Sequence, residues 1–166
     1  MHVSDWRARR CTALILAVAL AAAGALFGAA RAQPAAPQPD YHPSMGDLMT
    51  MAVQPRHAKI GLAGKARNWP YLAYEASELK NAFARIARTI PTYNGNDTAA
   101  LVSSRIHAPL DQLDAAIKAR DPRRFDAAYA EVTDACNQCH RALGHEAVAI
   151  KAPDAGAFPD QEFRGR

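Results

Sequence analysis

The sequence predicts an all-α protein, an up-down-up-down four-helix bundle that carries its chemistry on the last helix. Three observations lead there. From Met45 onward apolar residues recur at spacings of three and four, the period of one helical face, with no two-residue alternation of a strand. A capping residue stands just ahead of proline at Asn68-Trp69-Pro70 and Asp121-Pro122, marking helix starts. The connections between the periodic stretches are short, which favours antiparallel neighbours.

The first 32 residues precede this region and differ from it. Arg7, Arg9 and Arg10 form a basic head, no charge occurs from Thr12 to Ala30, and the run closes on Ala30-Arg31-Ala32. That pattern predicts a secretory signal peptide cleaved after Ala32, and export to the periplasm. A membrane anchor is the alternative; the alanine-rich run and the cleavage site argue against a stable one. The leader also holds most of the excess positive charge. The chain has 20 Lys and Arg against 16 Asp and Glu, and removing four Arg and Asp5 leaves 16 against 15. Nothing in that balance points to nucleic acid. Residues 33–44, rich in Pro and Ala, read as an extended lead-in, and residues 45–150 as one domain.

Helix one spans about 45–66, its seam being Met45, Met49, Val53, His57, Ile60 and Gly64, with Pro55 expected to kink it. Helix two opens at Asn68, runs through Leu72, Leu79, Phe83 and Ile86, and dies at Pro91 in the turn-rich stretch 91–97. Helix three begins near Thr98 and presents Ile106, Leu110, Leu113 and Ile117; Pro109 splits it, so the turns before form a separate short helix. Helix four is the clearest. Asp121 caps it, Pro122 starts it, and Phe125, Tyr129, Val132, Cys136 and Cys139 make one buried stripe. The tail, 151–166, holds Pro153 and Pro159 and reads as irregular, with Phe158 and Phe163 available to fold back over an apolar surface.

Export leaves two cysteines, because Cys11 departs with the leader. Cys136-Asn137-Gln138-Cys139-His140 has the haem-attachment spacing C-x-x-C-H. Two thiols three apart share one helical face and reach the two vinyl groups of one porphyrin. His140, one turn beyond Cys136, brings its imidazole beneath the iron as proximal axial ligand. The chain's own composition yields roughly 0.002 chance occurrences of the pattern. A disulfide, a thioredoxin-like dithiol and a zinc site are the competing readings. The dithiol lacks its strand–helix alternation, and zinc wants four ligands. One covalently bound haem c is the expected cofactor. A compact, irregular cytochrome c fold is the rival architecture.

A C-terminal C-x-x-C-H on the fourth helix of an exported bundle resembles the cytochrome c-prime family, including its six-coordinate, low-spin relatives, over about residues 45–147. A narrower resemblance is to exported haem proteins with Gln-Pro-Arg-His in the first helix (54–57), an Asn-Trp turn (68–69) and an Ala-Cys-Asn-x-Cys-His close (135–140). The c-prime resemblance implies that helix one covers the distal haem face, with an apolar residue in five-coordinate members and Met in six-coordinate ones. Straight comparison places Val53 there. It also implies homodimers pairing the first two helices. Pro55, Pro109 and the tail beyond Ile150 depart from the family pattern.

Helix lengths point to a different distal residue. His140 lies 18 residues beyond Pro122, about 27 Å, and Met49 lies 17 residues before Ala66, about 26 Å. His57, only 9 residues before Ala66, sits about 14 Å along and so two turns too high. Met49 is therefore the expected sixth ligand; His57 and an open iron are the alternatives. Met45, Met49 and Met51 all read as on or near the inner face, where Met is ordinarily core filler. Arg56, Lys59 and Arg141 are candidate propionate partners, His145 is placed near the haem edge or in solvent, and Trp69 at the top of the bundle.

With both axial positions filled by protein, one-electron transfer to partner proteins is the expected function. Five-coordinate binding of nitric oxide or carbon monoxide is the alternative. A peroxidase would need a distal acid–base pair, for which His57 and Arg56 are the only material, and no enzyme activity is expected.

Overall fold

In the computed structural model, residues 40–154, 158 and 161–164 are described. The expected leader and most of the lead-in lie outside the described residues. Helices account for most of what is described, and the protein is all-α with one two-residue ladder.

Ser44 starts the first helical rod with a reciprocal cap. Its hydroxyl accepts from the Asp47 amide at 3.1 Å, and its own amide donates to the Asp47 carboxylate at 2.9 Å. The rod then runs through α1 (Met45–Leu48), a π-helical segment (Met49–Val53) and α2 (Gln54–Lys65). The expected kink at Pro55 takes the form of this wider turn. In an α-helix the proline ring would crowd the carbonyl four residues back. Here the turn opens just ahead of it, and the Gln54 amide donates to the Met49 carbonyl, five residues back.

α3 (Trp69–Thr89) begins at Asn68, whose side chain accepts from the Tyr71 amide at 3.3 Å. Its expected seam, Leu72, Leu79, Phe83 and Ile86, is buried. Stretch 91–97, expected as turn alone, is a small hairpin: β1 (Thr92–Tyr93) pairs with β2 (Asn96–Asp97) across Asn94-Gly95, at φ 47° and 76°. A two-residue loop with both φ positive is the tight turn that Asn-Gly favours. The third helix is divided as expected, into α4 (Thr98–Arg105) and α5 (His107–Ala119), with Pro109 in the first turn of α5. α6 (Pro122–Ala142) starts where Asp121 accepts from the Arg123 and Arg124 amides at 3.0 and 3.1 Å.

α2 packs on α3 and α6, and α5 on α3 and α6, so the core lies among these four. Two glycines let α2 and α6 approach closely. A methyl at Gly64 would overlap the Phe125 ring, and one at Gly61 would fall 2.5 Å from both the Tyr129 hydroxyl and Pro153. Trp69 meets Phe125 edge-on at 6.1 Å, inside the expected top layer. One polar group on the α3 seam went unforeseen. Glu75 is 1% exposed, held by the Arg56 guanidinium at 2.9 Å and the Tyr71 hydroxyl at 2.5 Å. Among the described residues no helix is long and apolar enough to cross a membrane.

Candidate functional site

The first rod and α6 face each other across a cavity of about 460 Å³, a size ordinary for a cofactor pocket. Met45, Met49, Val53 and His57 line one side; Cys136, Cys139 and His140 line the other. That four residues spaced by four line one cavity is itself a result of the π segment. Three successive four-residue steps carry a straight α-helical stripe about 120° around its axis. The wider turn takes up one further residue and returns Met45 and Met49 to the side of His57. Met51 does not share this face: it is 62% exposed, against the expectation of an inward position.

α6 places both thiols by periodicity, Cys136 buried and Cys139 half-buried, and both are free cysteines. Burial pushes the Cys136 thiol up to about 12 and raises that of Cys139 as well, so both stay protonated at neutral pH.

His140 ends up in a particular tautomer because of how α6 stops. Gly144, at φ 73°, turns the chain back; the His145 amide reaches the His140 carbonyl at 2.7 Å and the Gly144 amide the Arg141 carbonyl at 3.2 Å. The returning segment brings the Val148 carbonyl to 2.6 Å from His140 Nδ1. A carbonyl only accepts, so Nδ1 carries the proton and the lone pair of the neutral ring lies on Nε2. Among the described residues Nε2 has no hydrogen-bond partner.

His57 is wired differently. Its Nε2 lies 2.8 Å from Thr133 Oγ1, whose single proton goes to the Tyr129 carbonyl at 2.9 Å, so Nε2–H is the donor. The remaining lone pair, on Nδ1, faces the Tyr129 hydroxyl at 3.3 Å, and the two rings stack at 4.8 Å. Burial lowers the His57 pKa to about 4 and keeps it neutral. Nε2 is therefore committed to Thr133, while the Tyr129 hydroxyl facing Nδ1 gives its proton to the His57 carbonyl at 3.0 Å; the ring itself forms part of the cavity wall. Of the three distal candidates, Met49 and Val53 alone face the cavity without a polar commitment.

The expected charged partners are also engaged. Arg56 is held by Glu75, Lys59 Nζ sits 5.1 Å over the Phe158 ring, and Arg141 lies 3.8 Å from Asp134. His145 is at the cavity edge, where its Nε2 meets the Tyr93 hydroxyl at 2.9 Å. The tail folds back elsewhere: Phe163 packs on Tyr71 at 5.9 Å, and its carbonyl accepts from Asn68 at 3.0 Å.

These residues fit a covalently tethered haem. The lining is largely apolar, two thiols open onto it one turn apart, and an imidazole with a bare Nε2 stands beside them. Among the described residues no three of His, Cys, Asp and Glu gather to hold a metal ion by themselves. No family model matches the chain, nor does any curated protein or solved structure.

Proposed function

We propose that the chain is an exported c-type cytochrome that carries one electron at a time on a single haem. The observation that supports this most is the state of His140: Nδ1 is donated to a backbone carbonyl, leaving the Nε2 lone pair beside two free thiols on one cavity wall. A metal-binding histidine is ordinarily fixed this way, by a hydrogen bond from its other nitrogen. When bound, the haem supplies an iron that cycles between ferric and ferrous states. Cys136 and Cys139 hold it covalently, and His140 serves as the proximal ligand. Met49, half-buried on the facing wall, is the distal ligand in this reading, since the lone pair of His57, on Nδ1, is turned to the Tyr129 hydroxyl. The helices α2, α3, α5 and α6 form the four-helix bundle of the c-prime type around this site, and export to the periplasm follows from residues 1–32.

Purified mature protein should give a c-type pyridine haemochrome with one haem per chain. Replacing both Cys136 and Cys139 by Ala should leave no haem that survives acid–acetone extraction; covalent haem in that variant would refute the assignment.

A second reading rests on Val53, which is 5% exposed and also lines the cavity. If Val53 rather than Met49 covers the iron, the protein is five-coordinate and binds nitric oxide or carbon monoxide. An absorption spectrum of the resting protein separates the two.

A further inference from the structure

We propose that Asn137, the first variable residue of the C-x-x-C-H motif, is the positioning residue for His140. Its side chain makes a two-bond clamp on the returning segment: Nδ2 donates to the Ile150 carbonyl at 2.9 Å, and Oδ1 accepts from the Ile150 amide at 2.7 Å. Ile150 is two residues from Val148, whose carbonyl holds His140 Nδ1. A lone backbone contact to a turn would leave that carbonyl free to swing. The clamp fixes the segment at one point, and the turn behind Gly144 fixes it at the other, where the Val148 amide donates to the His145 carbonyl at 2.9 Å. The carbonyl between them is thereby aimed. Beyond the clamp, Lys65 Nζ donates to the Pro153 carbonyl at 2.6 Å.

Asn suits this role better than its neighbour in the motif. A side-chain amide offers one donor and one acceptor side by side, and so matches a backbone N–H and C=O. Gln138 is exposed and donates instead to the Asp134 carboxylate at 2.6 Å. The chemical consequence concerns the strength of the proximal ligand. Donation from Nδ1–H to a carbonyl raises the basicity of Nε2, which favours ferric over ferrous iron. Asn137 thus sets the reduction potential without touching the iron.

This inference rests on His140 being the proximal ligand, and the test separates the two. Holoprotein matured in a periplasm is compared for wild type, Asn137→Ala, Ile150→Pro and Gln138→Ala, with haem content read by pyridine haemochrome. Ile150→Pro removes the shorter of the two clamp bonds from the side of the returning segment, because proline has no amide proton. Both clamp variants should keep their haem, exchange the His140 Nδ1 proton at least tenfold faster, and move the reduction equilibrium toward ferrous by about tenfold, which is about 59 mV for one electron. Gln138→Ala should match wild type. Haem-loaded Asn137→Ala with wild-type proton exchange and potential would overturn the positioning role and leave the haem assignment standing. A wild-type protein without covalent haem would overturn the assignment itself. Should neither clamp variant mature, proton exchange in wild type decides: the Asn137 side-chain amide must exchange far more slowly than that of Gln138, and equal rates would overturn the clamp.

Discussion

The walls of the cavity are prepared to different degrees. On the α6 side, His140 is oriented by Val148, Asn137 grips Ile150, and Gly144 fixes the reversal that brings both together. On the side of the first rod, Met49 and Val53 present apolar side chains from a π segment, and the buried polar group, His57, has turned its hydrogen bonds toward Tyr129 and Thr133. A polar network with every member satisfied specifies a geometry, whereas apolar packing tolerates substitution of similar volume. In the proposed reading the α6 wall would define how a haem sits, and the facing wall would set what happens at the remaining coordination position.

Substitutions should separate the two walls. The largest effect falls on α6: His140→Ala should abolish assembly or leave an iron with the wrong ligand, and a wild-type absorption spectrum would refute its proximal role. Met49→Ala should keep haem content while turning a low-spin spectrum high-spin and opening the iron to carbon monoxide. His57→Ala should leave the spin state alone; the reverse pair of outcomes would make His57 the ligand.

The third effect is one of pH. The pKa of His57 falls from 6.5 to about 4 on folding, so the folded state binds the proton less well than the unfolded chain. Its contribution is then fully present above pH 6.5 and is lost as pH falls toward 4, by about 3 kcal/mol. Urea unfolding at pH 7 and pH 4 should show that loss, and His57→Gln should remove that part of it. An unaltered pH dependence in the variant would show that His57 is not the group. Gly64→Ala should destabilise by about 1–3 kcal/mol through overlap with Phe125. Smallest is Asp121→Ala, which removes the cap of α6 for about 1 kcal/mol and should leave the spectrum unchanged. Thermal melts of both variants measure these two.

The sequence carried the helical layout because its punctuation is local: Asn68, Asp121 and the prolines act within one turn of themselves. Cys136, Cys139 and His140 were legible for the same reason, being spaced within one turn. What escaped depends on chain reversal or on the opposite partner. The hairpin at Asn94-Gly95 is too short to show a period, although Asn-Gly is its signal. Glu75 gave a hint, as a carboxylate three residues after Leu72 on the apolar seam, but its partner Arg56 lies on another helix. Asn137 gave none: the amide is informative only once Gly144 has turned Ile150 back onto α6. Met51 was misplaced against the period itself, which sets it about 160° from both Met49 and Val53 and so on the outer face where it lies.

The change of pitch in the π segment makes the first rod tolerant of one residue fewer. The π segment holds one residue beyond the ordinary helical count, so loss of one residue from 49–53, for example exposed Thr50, would restore an ordinary helix and leave Met45 and Met49 on the side of His57. Regularising the segment at full length would instead rotate everything before it by about 100° relative to α2 and carry Met49 out of the wall. The place of Met49 is thus governed by how the turn ahead of Pro55 is wound, independently of any residue of α6.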